Sequence, residues 1–141
     1  MHFKKSLVAA SLIFAVSLSA AGSDSYSIID TLPGQWIDVD KKYCDIAQTT
    51  VSVSADRQSI SFSHSGLGQA TESDIRRQFN YRVGAQRGNR LYLELENETR
   101  LDERGEPVTW DLVMLSSDEF CWSRSDWLED GCTATVFRCE N

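Results

Sequence analysis

An all-β domain, an eight-stranded antiparallel up-and-down barrel with two disulfides, is the fold this sequence predicts, and three observations predict it. Segment after segment alternates apolar with polar residues, which sets one face of each strand in a core and the other in water. Helical spacing is nearly absent, and the connections are polar and too short for a crossover helix, so successive strands run antiparallel. Four cysteines, Cys44, Cys121, Cys132 and Cys139, supply an even count for bridges. Closing the sheet on itself removes its edges, whereas a two-sheet β-sandwich, the alternative, carries the same alternation.

The expected strands follow in order. They are A, 36–40; B, 50–55; C, 59–65; D, 75–84; E, 90–98; F, 108–115; G, 120–127; and H, 133–139. Strand C is the cleanest, with Ile60, Phe62 and His64 on one face and Ser59, Ser61, Ser63 and Ser65 on the other. Strand E repeats the pattern with Leu91, Leu93 and Leu95 against Tyr92, Glu94 and Glu96. The A–B, C–D and E–F connections are long and share one end with the G–H turn; the B–C, D–E and F–G turns are short. A barrel built this way has an elaborate mouth and a tight base.

The first residues read as a targeting signal over 1–21. Lys4 and Lys5 precede an apolar stretch from Leu7 to Leu18, and Ser19, Ala20 and Ala21 have the size a signal peptidase accepts. An apolar run of that length is short for a membrane span. The mature chain is then Gly22 to Asn141, 120 residues, with a leader over 22–33 and one barrel domain over 34–141. Export favours oxidised cysteines, and the wide cysteine spacings, with His64 the only histidine of the mature part, do not suit a metal site. The chain holds 14 basic and 21 acidic residues; losing Lys4 and Lys5 leaves 12 against 21, a net charge of −9. Nucleic acid and anionic membrane surfaces are poor partners for such a protein, and a periplasmic or secreted location is expected.

An expected register for G and H sets Cys121 beside Cys139 near the base. Cys44 and Cys132 then sit together at the mouth, where closure makes A and H neighbours. The expected bridges are therefore Cys44–Cys132 and Cys121–Cys139.

Gly34-Gln35-Trp36 at the start of A, eight strands in sequence, and Arg138 at the end of H resemble the lipocalin-like, or calycin, barrels. The chain is shorter than a lipocalin, has no helix after H, and retains of the motif before G only Asp118 and Phe120, so the resemblance is to a compact bacterial relative. It implies structural roles for Gly34, Trp36 and Arg138: the tryptophan lies at the closed base and the arginine packs over it as a cation on an indole.

Alternation points His64, Arg77, Trp110, Arg124 and Asp126 inward near the mouth, joined by Asp38 and Asp40 from A. Phe62, Phe79, Tyr81, Leu93, Leu112, Met114 and Trp122 lie deeper. This describes a cup with an aromatic floor and a few convergent polar groups, suited to a small amphipathic molecule. The alternative is a solid core with Arg124 paired to Asp126 or Asp38. No nucleophile–base–orienter set and no Gly-x-Ser-x-Gly turn is present, so no catalytic residue, metal or cofactor is expected. Glu98, Asp102, Glu103 and Glu106 form an acidic rim that suggests a second function, masking a basic protein, as an inhibitor of a cell-wall-degrading enzyme or an immunity protein does. Ile37, Val39, Val113, Leu115, Trp127 and Phe137 face outward on A, F, G and H. Such a stripe needs a cover, either Tyr26, Ile28 and Ile29 of the leader or a second copy in a homodimer.

Overall fold

The computed structural model describes residues 26–66, 78–127 and 131–140. The expected signal segment, Arg77 and the start of strand D at Ile75 lie outside the described residues. A short helix, α1 (Ile28–Thr31), precedes eight strands: β1 (Gly34–Ile37), β2 (Ala47–Val53), β3 (Ser59–Gly66), β4 (Gln78–Arg87), β5 (Arg90–Leu95), β6 (Trp110–Ser116), β7 (Glu119–Arg124) and β8 (Val136–Arg138). Each strand pairs antiparallel with the next, and β8 returns to β1 through Trp36 opposite Arg138 and Ile37 opposite Phe137. The sheet is a closed barrel, which sets the sandwich alternative aside.

Strand ends depart from the alternation where local hydrogen bonds compete with the ladder. β1 stops at Ile37 because Asp40 caps a 3-10 turn over Lys41–Tyr43, its side chain accepting the Lys42 N–H at 3.0 Å. Asp40 is therefore an exposed cap and not the inward mouth residue expected of strand A. β4 runs past Gly84 to Arg87 through a register shift between Val83 and Gln86, where a Cβ on Gly84 would overlap the Tyr92 ring.

At the base, Trp36 is fully buried and donates its Nε1–H to the Leu32 carbonyl at 2.9 Å. The Arg138 guanidinium carbon lies 4.1 Å from the Trp36 ring centroid. Gly34 permits this approach, since its φ is +140° and a Cβ there would come within 2.8 Å of Arg138 Nη1. Arg138 also donates to the carbonyls of Thr31 (2.6 Å), Pro33 (3.2 Å) and Ser117 (3.1 Å), and its Nε pairs with Asp118 at 3.0 Å. α1, ended by Pro33, closes the barrel from below: Ile28, Ile29 and Leu32 join the core beneath Trp36 and Phe120. It is tied to two base turns, through Asp30 with Arg57 at 2.7 Å and Ile28 N–H with Gln86 at 2.9 Å. The leader thus plugs the base instead of covering the outer wall, and its Tyr26 remains exposed.

The disulfides form with different partners from those expected. They are Cys44–Cys139, with Cα atoms 5.8 Å apart, and Cys121–Cys132, with Cα atoms 5.5 Å apart. The cause is register. Glu119 faces Phe137 and Phe120 faces Val136, so Cys121 is level with Thr135, and Cys139 falls beyond β7, beside Gln35 of β1. There the Cys139 N–H donates to the Gln35 carbonyl at 2.8 Å. The 3-10 turn folds along the outer wall, with Lys41 Nζ 5.8 Å above the Phe137 ring, and carries Cys44 away from the mouth to Cys139. This turn and the two bridges also break up the outer stripe. Ile37 and Val113 are buried, Phe137 is half-buried, and the exposed remainder, Val39, Leu115 and Trp127, is divided between the two ends of the barrel.

Peptide mapping without reduction should recover Cys44 joined to Cys139 and Cys121 joined to Cys132. A Cys44–Cys132 peptide would contradict the β7–β8 register.

Candidate functional site

Among the described residues, the barrel interior is filled below and leaves a space above. Phe62, Tyr81, Phe120 and Trp122 pack against one another at mid-height. Trp122 is stacked on Tyr81 with centroids 5.5 Å apart and tilted against Phe62 at 5.1 Å, while Phe120 rests on Trp36 at 4.8 Å. Above these rings a cavity of about 420 Å³ opens at the mouth. Its far wall is made by small side chains, Thr49 on β2 and Thr133 and Ala134 just before β8, and their size leaves the space unfilled.

Of the five residues expected to bind a ligand, His64 and Trp110 line this cavity. His64 is held by Thr49, with Nδ1 2.6 Å from Oγ1, and its ring meets Phe79 edge-on at 5.6 Å. Burial lowers its pKa below the ordinary histidine value, against the opposing pull of Asp38, so at neutral pH the imidazole is uncharged. Arg124 and Asp126 do not line the cavity. They bind each other in a bidentate pair, at 2.6 and 2.7 Å, and the guanidinium stacks against Trp110 and Trp127 at 5.4 Å from each centroid. Arg77 lies outside the described residues.

Arg100 is a cavity residue that alternation does not assign, whereas Tyr81, expected deeper in the cup, lines the cavity as well. Arg100 stands on the E–F connection, where the two-residue period has ended. The signal available for it was Glu98, two residues before, a carboxylate able to fold back on the arginine. Arg100 Nε and Nη2 each lie 2.7 Å from Glu98, and its guanidinium sits 5.5 Å from the Trp110 centroid. Trp110 Nε1 is buried with no acceptor at full hydrogen-bond geometry, though it points towards Glu98 closely enough to help hold that carboxylate ionised. The Tyr81 phenol is pushed up to about 12 by burial, so its hydroxyl is a neutral donor at the cavity wall.

The acidic rim is only half available. Glu98 and Asp102 are each only 6% exposed at their side chains. Asp102 accepts the N–H groups of Arg104 and Glu106 and pairs with Arg104 at 2.9 Å, closing a small hairpin between Leu101 and Pro107. Glu103 and Glu106 alone of the four face solvent.

The Glu98 carboxyl is held down to about 2 from an ordinary 4.5, chiefly by the hydrogen-bonded Arg100 guanidinium. Its folded pKa lies below the unfolded one, so the unfolded chain takes up the proton first as pH falls. The stability it contributes is present above pH 4.5 and is lost between about 4.5 and about 2. Thermal melts of Glu98→Gln should accordingly start lower at neutral pH and fall less steeply across that window than the parent. Parallel curves would show that the pair is not linked to folding.

No protein-family model matches this chain, and neither a curated protein nor a solved structure matches it significantly.

Proposed function

We propose that this protein is an exported binding module of lipocalin-like form that holds a small amphipathic molecule in the mouth of its barrel and performs no chemistry on it. The observation that carries this reading is the cavity of about 420 Å³, with an aromatic floor and a rim of Asp38, His64, Tyr81 and Arg100. Its size and its mixture of apolar walls with few polar groups suit a small-molecule site. The two disulfides suit an oxidising compartment, and with the signal-like start they support a periplasmic or secreted protein. No described helix is long and apolar enough to cross a membrane.

Masking of a basic protein by the rim draws less support, because Glu98 and Asp102 are spent inside the E–F connection. A homodimer through the outer faces of A, H, G and F loses its motive once Ile37 and Val113 are covered by the chain itself.

The neutral fluorophore N-phenyl-1-naphthylamine tests the site. It should brighten on binding the purified protein, and Ala134→Trp, which places an indole in the cavity, should weaken that binding at least about tenfold with an unchanged melting temperature. Absence of binding, or equal binding by Ala134→Trp, would overturn the cavity as the binding site.

A further inference from the structure

Among the described residues, two formally charged side chains line the cavity, and they are not equivalent. Arg100 commits both Nε and Nη2 to Glu98, and Glu98 in turn accepts the N–H groups of Thr99 and Arg100. That pair is electrically closed. Asp38 lies just beyond the end of β1, exposed, and forms no ion pair among the described residues. Its neighbour His64 is neutral at neutral pH, so it does not offset the carboxylate. Among the described residues, the cavity's net charge is therefore that of Asp38.

The aromatic walls act in the same direction. A ring face carries the negative part of its quadrupole and attracts a cation, more strongly where water is excluded. Trp110 already carries two of the protein's own cations, Arg100 at 5.5 Å and Arg124 at 5.4 Å. Phe62, Phe79, Tyr81 and Trp122 complete the ring-lined wall. The chain as a whole carries a net charge of −7, which adds a long-range field of the same sign. Among the described residues, an anionic ligand would meet Asp38, the aromatic rings and this field, with an already committed arginine in its favour.

We propose that the ligand of the mouth cavity is a small organic cation, its ammonium group at Asp38 and its apolar or aromatic body against the rings of Phe62, Tyr81 and Trp122. This rests on the cavity being the binding site. Charge selectivity, not mere accommodation, is what the proposal adds.

Three probes of one shape separate the two: 1-naphthylmethylamine (cation), 1-naphthalenemethanol (neutral) and 1-naphthoate (anion), titrated by calorimetry at neutral pH. The amine should bind at least about tenfold tighter than the carboxylate, a preference that shrinks in high salt. Asp38→Asn should remove that preference, whereas Glu119→Gln, which deletes one acidic charge at the closed end, should retain it; both variants should melt as the parent does. Equal affinities for the three probes, a preference for the carboxylate, or equal loss of preference in Asp38→Asn and Glu119→Gln would overturn cation selectivity while leaving the cavity as a site. Failure of all three to bind would overturn the cavity reading itself, and this proposal with it.

Discussion

The Arg138 guanidinium lying over the Trp36 indole is the contact on which the closed barrel depends. One cation, 4.1 Å from the ring centroid, joins the first strand to the last, and its remaining N–H groups reach the end of α1 and the turn between β6 and β7. Three parts of the chain that are separate in sequence, the stretch from Thr31 to Trp36, the turn at Ser117 and Asp118, and β8, meet in this one side chain. The geometry makes demands on its neighbours. Gly34 must lack a side chain for the guanidinium to fit, and Trp36 must be buried with its Nε1–H satisfied by Leu32. Replacing a buried tryptophan of this kind by alanine costs about 3–5 kcal/mol, a large share of the stability of a single small domain.

The clasp matters because β8 is only three residues long and closes the sheet with two ladder pairs on either side. Both disulfides attach beside it. Cys121–Cys132 ties β7 to the segment leading into β8, and Cys44–Cys139 ties the A–B connection to the residue just after it. In the chain-entropy account, cross-links spanning 11 and 95 residues restrict the unfolded chain by roughly 3 and roughly 4–5 kcal/mol. The weakest strand is thus held at its lower end by a cation on an indole and at both ends by covalent bonds. The same brevity creates the cavity. Before β8 begins, the described wall consists of the small side chains Thr133 and Ala134, which leave space beside the rings of Tyr81 and Trp122.

What was legible in the sequence is what a two-residue period encodes. Eight one-sided segments with short polar links specify an antiparallel sheet, and the alternation in 59–65 and 90–95 reappears in the burial of Ile60, Phe62, Leu91 and Leu93, fading towards the mouth at His64 and Leu95. Register is another matter. The G–H connection is not a tight two-residue turn, so nothing local in the sequence fixes which residue of β8 faces Cys121, and an error of a few positions exchanges the disulfide partners. Period also says nothing of side chains that bind their own neighbours. Asp40 turns to its backbone, Asp102 builds a hairpin, and Glu98 folds onto Arg100, so three carboxylates that read as mouth or rim groups are engaged locally. Arg124 keeps the inward parity of its strand but lies along Trp110 with Asp126, leaving the cavity to Arg100 from a loop with no period at all.

Amide hydrogen exchange across the β1–β8 seam, followed by NMR in the parent and in Arg138→Ala, tests most directly whether the clasp closes the barrel. The reporters are the Cys139 N–H, bonded to Gln35, and the Trp36 Nε1–H, bonded to Leu32, with the β2–β3 ladder as the internal reference. In the parent these two protons should exchange as slowly as the β2–β3 amides; in Arg138→Ala they should exchange much faster while the β2–β3 amides keep their protection. Fast exchange at the seam of the parent, or unchanged protection there in Arg138→Ala, would contradict a barrel closed by Arg138.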